Sequence, residues 1–226
     1  MLFEMPMQEQ ICEILKERCR KELPGIEAQK KLSPAVREKQ IADRLRSGIK
    51  PMHSSVLIPL FPVGNELHTV LIQRTASNGV HSNQIAFPGG RMEKGDRDYF
   101  FTALREAEEE LGIKPDHVEF LGKLTDLYVP PSNFIIHPFV AFLNNKHDFV
   151  ADKNEVSDFF EVAIKDFLSP EKIKYCPIKM SDGEVINTPY YDLNDRVVWG
   201  ATAMIISEFA VILHELFPYL SESKYV

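Results

Sequence analysis

The sequence predicts an α+β domain with a mixed β-sheet, preceded by a helical extension. Apolar runs of strand length are frequent, whereas segments with helical periodicity are few. Two of the apolar runs, 56–61 and 67–72, are separated by Pro-Val-Gly-Asn, which is typical of a β-hairpin. With 226 residues, 44% hydrophobic and 26% charged, the chain suits one globular domain, alone or with an appended segment.

The N-terminal part, residues 1–52, is predicted to be a helical extension of a domain formed by residues 53–226. Apolar residues at helical spacing predict an amphipathic helix over 7–21. The segment 22–52 is basic and punctuated by prolines, which indicates helix and loop wrapping the domain. The composition changes around His53, where the apolar runs of the domain begin.

The other elements follow from apolar runs bounded by turn residues. Beyond the first hairpin, strands are predicted at 84–87, 118–127, 134–143 and 159–162, with a second hairpin over 173–190. Pro88-Gly89-Gly90 ends the first of these strands as a loop, and Asp182-Gly183 suits the turn of the hairpin. Helices are predicted from Asp98 to Leu111 and from Val197 to Leu216.

Composition and charge argue against several classes of protein. The formal net charge of -7 argues against a protein that coats nucleic acid. Three cysteines without a Cys-x-x-Cys pair, and histidines without ligand spacing, disfavour a disulfide framework and a zinc site, and favour a cytoplasmic setting. The N-terminus lacks signal-peptide features, and the most apolar stretch, Val197 to Leu213, is short for a membrane span and carries Glu208. We therefore expect no membrane partner; a homodimer is compatible with the sequence, which does not decide the oligomeric state.

The helix predicted over 98–111 carries a cluster of carboxylates. On a helical wheel, Glu106, Glu109 and Glu110 share one arc beside the apolar stripe, while Glu108 falls on the other side. The stripe consists of Phe100, Ala103, Leu104, Ala107 and Leu111. Asp96 or Asp98 can cap the start of the helix, and Gly112 can end it.

This carboxylate arc indicates a site for a hard divalent cation. Adjacent anions repel one another, and oxygen-only clusters suit Mg²⁺ or Mn²⁺. Arg105 lies four residues before Glu109 and can hold its carboxylate, and the backbone of Gly89 and Gly90 can approach closely. Taken alone, a string such as Arg-Glu-Ala-Glu-Glu-Glu is more often a solvated helix face; the order of strand, Gly-Gly loop and helix favours the metal site.

The segment resembles the Nudix box, G-x5-E-x7-R-E-U-x-E-E-x-G-U, in which U is apolar. Residues 105–113 match the second half fully. In the first half, 14 residues separate Gly90 from Arg105, one more than in the pattern, and Arg97 stands where the pattern has Glu. Asp96 and Asp98 flank that position and are candidates to replace it. The resemblance implies a Nudix-like α/β/α sandwich and metal-dependent hydrolysis of a nucleotide-linked pyrophosphate.

Further similarity points to the coenzyme A pyrophosphatase branch of this family, which has the same longer loop. The branch signature, L-L-T-x-R-S-x3-R-x3-G-x3-F-P-G-G, resembles residues 71–90 and matches at Arg74 and at Phe87-Pro88-Gly89-Gly90. The sequence departs from it at Gly79, where the signature has Arg, and at Asn83, where it has Gly. Other similar segments are 132–140, 154–156 and 198–203, so the resemblance covers roughly residues 50–215.

The resemblance implies roles for particular side chains. The metal ligands are Glu106, Glu109 and Glu110; the catalytic residues are Glu106, Glu109, Glu155 and Arg105; and the substrate contacts are Arg74, Gly89 and Gly90. Either Glu106 or Glu155 is the general base, and Glu155 is equally compatible with an ordinary surface position. Arg74 either pairs with a phosphate or forms a structural ion pair.

Three functions remain open from the sequence. The first is hydrolysis of coenzyme A, or its derivatives, to 3′,5′-ADP and 4′-phosphopantetheine. The second is the same chemistry on ADP-ribose, NADH or another nucleoside diphosphate derivative, which the departures at Gly79 and Asn83 favour. The third is a noncatalytic module that binds a nucleotide, which would not need three clustered acids.

Overall fold

The computed structural model describes residues 7–75, 84–144, 148–179 and 183–221. The helices are α1 (Met7–Cys19), α2 (Gly25–Lys30), α3 (Arg37–Ser47), α4 (Tyr99–Leu111) and α5 (Gly200–Ser221). The strands are β1 (Met52–Val63), β2 (Glu66–Arg74), β3 (Ile85–Ala86), β4 (Gly89–Arg91), β5 (Val118–Lys123), β6 (Leu127–Val129), β7 (Phe134–Leu143), β8 (Val156–Ala163), β9 (Ile173–Lys179), β10 (Val185–Leu193) and β11 (Arg196–Trp199). Short 3-10 turns cover Pro115–His117, Ile164–Leu168 and Pro170–Lys172.

The central sheet is mixed, as predicted. Its main order is β3-β2-β1-β7-β5, with β8 on β2, β4 on β1 and β6 on β7. The pairing of β1 with β7 is parallel, and the other pairs are antiparallel. β1 is long enough to pair with β2 near Phe61 and with β4 near Ser55, so β4 reaches the centre of the sheet. A second, antiparallel sheet has the order β11-β10-β9.

The two faces of the central sheet carry separate apolar cores. On β1, Leu57 and Phe61 belong to a core shared with α4, whereas Ile58 and Leu60 belong to a core shared with α1 and α5. This alternation is what a strand buried on both faces requires, because successive side chains point to opposite sides. The α+β class, with helices on both faces of a mixed sheet and helices N-terminal to it, is therefore confirmed.

The N-terminal helices pack into the core of the domain. Ile11 and Leu15 of α1 are buried in the core that also contains α5. Glu208, at the centre of α5, is fully buried and accepts hydrogen bonds from Gln29 Nε2 of α2 and from the N–H groups of Gly25 and Thr125. The carboxylate thus joins α2, α5 and the loop before β6.

The boundaries of three predicted elements were wrong. The strand expected over 118–127 is broken into β5 and β6, and Gly89–Arg91 form the strand β4 rather than a loop. Residues 197–199 belong to β11, so the last helix begins at Gly200. Val198 is buried and pairs with Tyr191 of β10, and a short apolar run of this kind has no periodicity that separates strand from helix.

The remaining expectations divide into those that the structure describes and those that lie outside it. The helix α4, with Asp98 as its N-cap, is confirmed, because the Asp98 carboxylate accepts a hydrogen bond of 2.7 Å from Phe101 N. Gly79, Asn83 and the turn residue Asp182 lie outside the described residues. Within the described ranges, no helix is long and apolar enough to cross a bilayer.

Candidate metal centre

Three carboxylates from two distant segments meet at one point of the structure. Glu106 and Glu110 lie one turn apart on α4, and Glu155 lies on the loop before β8. Each offers an oxygen, and these oxygens all lie within 4.8 Å of one another. Pairing of β8 with β2 places Glu155 there, since its carbonyl oxygen accepts a 2.9 Å hydrogen bond from Thr75 N at the end of β2.

The two glycines of β4 form the floor of this group. The N–H of Gly89 donates a hydrogen bond of 2.8 Å to Glu110 Oε2. A Cβ atom on Gly90 would lie 2.2 Å from Glu106 Oε2, and one on Gly89 would lie 2.2 Å from Ser55 O. The approach of α4 to β4 therefore favours glycine at position 90, and the pairing of β4 with β1 favours it at position 89.

The three carboxylates carry more negative charge than the neighbouring arginines neutralise. Glu110 is fully buried, and burial raises its pKa to about 8, opposed by Arg74 and the Gly89 N–H. Arg74 Nη1 lies 3.0 Å from Glu110 Oε1, but its N–H donates to Gly89 O, also at 3.0 Å. Oε1 accepts no hydrogen bond from the described residues. Burial also raises the pKa of Glu106.

These residues fit a hard divalent cation. A buried oxygen without a donor is costly, and its cost falls when a cation takes the place of the proton. Three carboxylates without nitrogen or sulfur ligands are the donor set that Mg²⁺ and Mn²⁺ prefer.

Arg105 organises the exposed side of the group. Its guanidinium lies 3.0 Å from Asp96 Oδ1, 2.9 Å from Glu106 Oε1 and 2.8 Å from Glu109 Oε2. Asp96 is buried, also accepts a hydrogen bond from Thr102, and has a pKa lowered to about 2, chiefly by its hydrogen bond to Arg105. Asp96 therefore holds Arg105, and through it Glu106, while Asp98 caps the helix.

Comparison with known families agrees with this geometry. The model of the NUDIX domain matches residues 51–185, which contain the sheet, α4 and all three carboxylates. The chain belongs to the Nudix family. The predicted enzyme class, a Nudix pyrophosphohydrolase, is thereby confirmed, and Nudix enzymes use divalent metal ions.

Curated Nudix relatives cover most of the chain. An uncharacterized Nudix hydrolase NudL from Pectobacterium atrosepticum is 32% identical, over 74% of this chain and 88% of that protein. Nudix hydrolase 15, mitochondrial, from Arabidopsis thaliana is 30% identical, over 76% of this chain and 62% of that protein. Among solved structures, the binary complex of an Ap4A hydrolase from C. elegans is 15% identical with a TM-score of 0.49, covering 73% of this chain and 98% of that chain.

The structure brings together most, but not all, of the predicted ligands of the Nudix box. Glu106 and Glu110 lie in the group of three, whereas the Glu109 side chain is 53% exposed and pairs with Arg105. The third member of the group is Glu155, which the resemblance nominated and which spacing along α4 could not reveal. Glu108 is directed away, toward Lys114, at 2.7 Å. The helical wheel places Glu106, Glu109 and Glu110 on one side of α4, but it does not show which of them pack against the sheet.

A cleft opens beside the carboxylates. It encloses about 940 Å³ of space, counted to its open mouth. The three predicted substrate contacts, Arg74, Gly89 and Gly90, all line it. Its lining also includes Phe134 and Trp199, which are not among the predicted site residues.

Proposed function

We propose that this Nudix enzyme hydrolyses the pyrophosphate bond of coenzyme A or its derivatives, with Mg²⁺ or Mn²⁺ held by Glu106, Glu110 and Glu155. The observation that carries the proposal is the meeting of three carboxylates next to a cleft lined by Arg74 and the backbone of β4. The products would be 3′,5′-ADP and 4′-phosphopantetheine.

The side chains of the site divide the chemical work. A divalent cation, when bound, offsets the negative charge of the pyrophosphate and lowers the pKa of the attacking water. Glu155 is exposed, and no arginine of the described residues forms an ion pair with it, so its carboxylate is the better placed to accept the proton of that water; Glu106 is the alternative, although Arg105 already binds it. The water oxygen attacks one phosphorus, and the other phosphate leaves with the bridging oxygen. No covalent bond to the enzyme forms.

The remaining predicted residues take supporting roles in this proposal. Arg105 positions Glu106 through an ion pair of 2.9 Å. Arg74 lies at the edge of the cleft, where its guanidinium would exchange Glu110 for a phosphate oxygen once a cation neutralises that carboxylate. Glu109 stays a predicted ligand, whose exposed carboxylate would have to leave Arg105 to join the others.

The choice of coenzyme A rests on the branch resemblance in residues 71–90 and 132–140. ADP-ribose, NADH or another nucleoside diphosphate derivative is the second candidate, because the signature positions 79 and 83 differ. The absence of nucleic-acid binding, the homodimer, the cytoplasmic setting and the boundary between residues 52 and 53 stay predictions.

A substrate panel tests the proposal. Purified enzyme is incubated with coenzyme A, dephospho-coenzyme A, ADP-ribose, NADH and nucleoside triphosphates, and products are identified by mass. We expect coenzyme A to have the highest kcat/KM, activity to vanish in excess chelator, and Mg²⁺ or Mn²⁺ to restore it. Higher kcat/KM for both dephospho-coenzyme A and ADP-ribose would refute the branch assignment, and full activity in chelator would refute the metal centre.

A further inference from the structure

A second cavity adjoins the cleft and is partly walled by the N-terminal helices. This outer pocket encloses about 840 Å³, counted to its mouth, and its lining includes Pro34, Arg37, Tyr128, Lys179, Trp199 and Met204. It shares Gln84, Trp199 and Ala201 with the cleft, so the two spaces meet at that wall. A molecule bound at the carboxylates would reach the outer pocket by passing these shared residues.

Arg37 gives the outer pocket a buried positive charge. The residue is only 7% exposed, and its Nη2 donates a hydrogen bond of 2.8 Å to Tyr128 O. Among the residues that the structure describes, no carboxylate lies within ion-pair distance of this guanidinium. Burial lowers its pKa, although the charge of Glu38, which does not pair with it, opposes this shift. A buried guanidinium without a paired anion is unfavourable, so an anionic ligand would stabilise it.

The charges of the two spaces suit different parts of one substrate. Arg74 is engaged at the three carboxylates through Glu110 and Gly89 O, so it would contact the reacting phosphates. A phosphate remote from the reacting bond needs another cation, and Arg37 and Lys179 line the outer pocket. Trp199 lines both spaces and Met204 lines the outer pocket, and their apolar surface suits a planar base.

We propose that the outer pocket binds the nucleoside half of the substrate and recognises a phosphomonoester on that half through Arg37. The inference rests on the proposed function for the identity of the reaction, but binding in the pocket does not require turnover. It makes the helical extension a part of the substrate site, since α3 supplies Arg37. It also supplies a cation to a chain that has Gly79 where the branch signature has Arg.

The first test measures binding without catalysis. Adenosine 3′,5′-bisphosphate and adenosine 5′-monophosphate are titrated calorimetrically into the full-length enzyme and into Arg37→Gln. We expect the wild type to bind the bisphosphate at least about tenfold more tightly than the monophosphate, the effect of one charge-assisted hydrogen bond, and Arg37→Gln to lose that preference. Equal affinities in the wild type would overturn the proposal, whichever diphosphate the enzyme hydrolyses.

A variant of Arg44 is the matched control, because it separates recognition of the ligand from support of the loop at Pro130. Arg44 also donates to carbonyls of the adjoining loop, Pro130 O at 2.9 Å and Pro131 O at 3.2 Å, but does not line the pocket. Arg44→Gln should leave the ratio of the two affinities unchanged. In kinetics, Arg37→Gln should raise KM about tenfold for coenzyme A and little for dephospho-coenzyme A.

If Arg37→Gln is unstable in a thermal melt, Arg37→Lys replaces it and should keep part of the preference for the bisphosphate. An equal loss of affinity for the bisphosphate and the monophosphate would refute recognition by Arg37.

Discussion

Alanine at either glycine of β4 should have a different consequence: a loss of activity at Gly90 and a loss of stability at Gly89. In Gly90→Ala, the new methyl group would lie 2.2 Å from Glu106 Oε2, and ordinary contact is about 3.4 Å or more, so the carboxylate must retreat by about 1 Å. A flexible side chain can make this movement without unfolding the protein. A misplacement of about 1 Å in a catalytic constellation costs roughly 10²-fold, so kcat should fall by about that factor.

Gly89→Ala should instead destabilise the fold. Its methyl group would lie 2.2 Å from Ser55 O and 2.7 Å from Val56 Cα, which are backbone atoms of the paired strand β1, and its φ of +154° is unfavourable for alanine. Backbone strain of about 1–3 kcal/mol and overpacking of a similar size suggest a loss of about 4 kcal/mol in free energy of unfolding. For a domain of this size the Tm would fall by roughly 8–16 °C.

The assay combines calorimetric melting with steady-state kinetics on the best substrate of the panel. Gly90→Ala should melt within about 4 °C of the wild type, because Gly→Ala itself changes stability by less than about 1 kcal/mol. A Gly90→Ala enzyme with wild-type kcat would refute the contact between β4 and Glu106. A Gly89→Ala enzyme with an unchanged Tm would refute the described path of that strand.

Two other perturbations test packing and electrostatics. The buried carboxylate of Glu208 accepts three hydrogen bonds from α2 and from the loop before β6, so Glu208→Leu should lower the free energy of unfolding by about 3 kcal/mol in denaturant titration, and an unchanged value would contradict this. In chelator, the Tm should fall as the pH rises from about 5 to about 8, because the raised pKa of Glu110 keeps a proton on the folded protein that the unfolded chain has released. Saturating Mg²⁺ should remove this fall of the Tm with pH. The same fall with and without the metal would disprove the explanation.

Local patterns predicted the helix that carries the metal centre. The apolar stripe fixed the phase of α4, and its N-cap lies at Asp98 as expected. In the Nudix box the first Glu stands six residues after the glycine, and the sixth residue after Gly90 is Asp96. Counting forward from Gly90 thus leads to the partner of Arg105, whereas counting back from Arg105 leads to Arg97.

Other features depend on contacts between distant segments. Glu155 reaches the group only because β8 pairs with β2, across about 80 residues of chain. The sequence does not single out Arg37, because a basic segment such as 22–52 is usually solvated and only burial of this side chain against β6 distinguishes it. Local sequence patterns report periodicity and caps, whereas these placements are set by strand register and packing.

Direct measurement of metal binding tests the central claim, that the carboxylates of α4 and the β8 loop hold a divalent cation. Mn²⁺ is titrated into metal-free enzyme, and free Mn²⁺ is followed by electron paramagnetic resonance, for the wild type, Glu110→Gln, Glu155→Gln and the matched control Glu108→Gln. Glu108 is bound to Lys114 outside the group, so its variant should bind Mn²⁺ as the wild type does. The variants at Glu110 and Glu155 should bind at least about tenfold more weakly, as expected when a ligand is lost. Equal affinity in all four proteins would contradict the proposed metal centre.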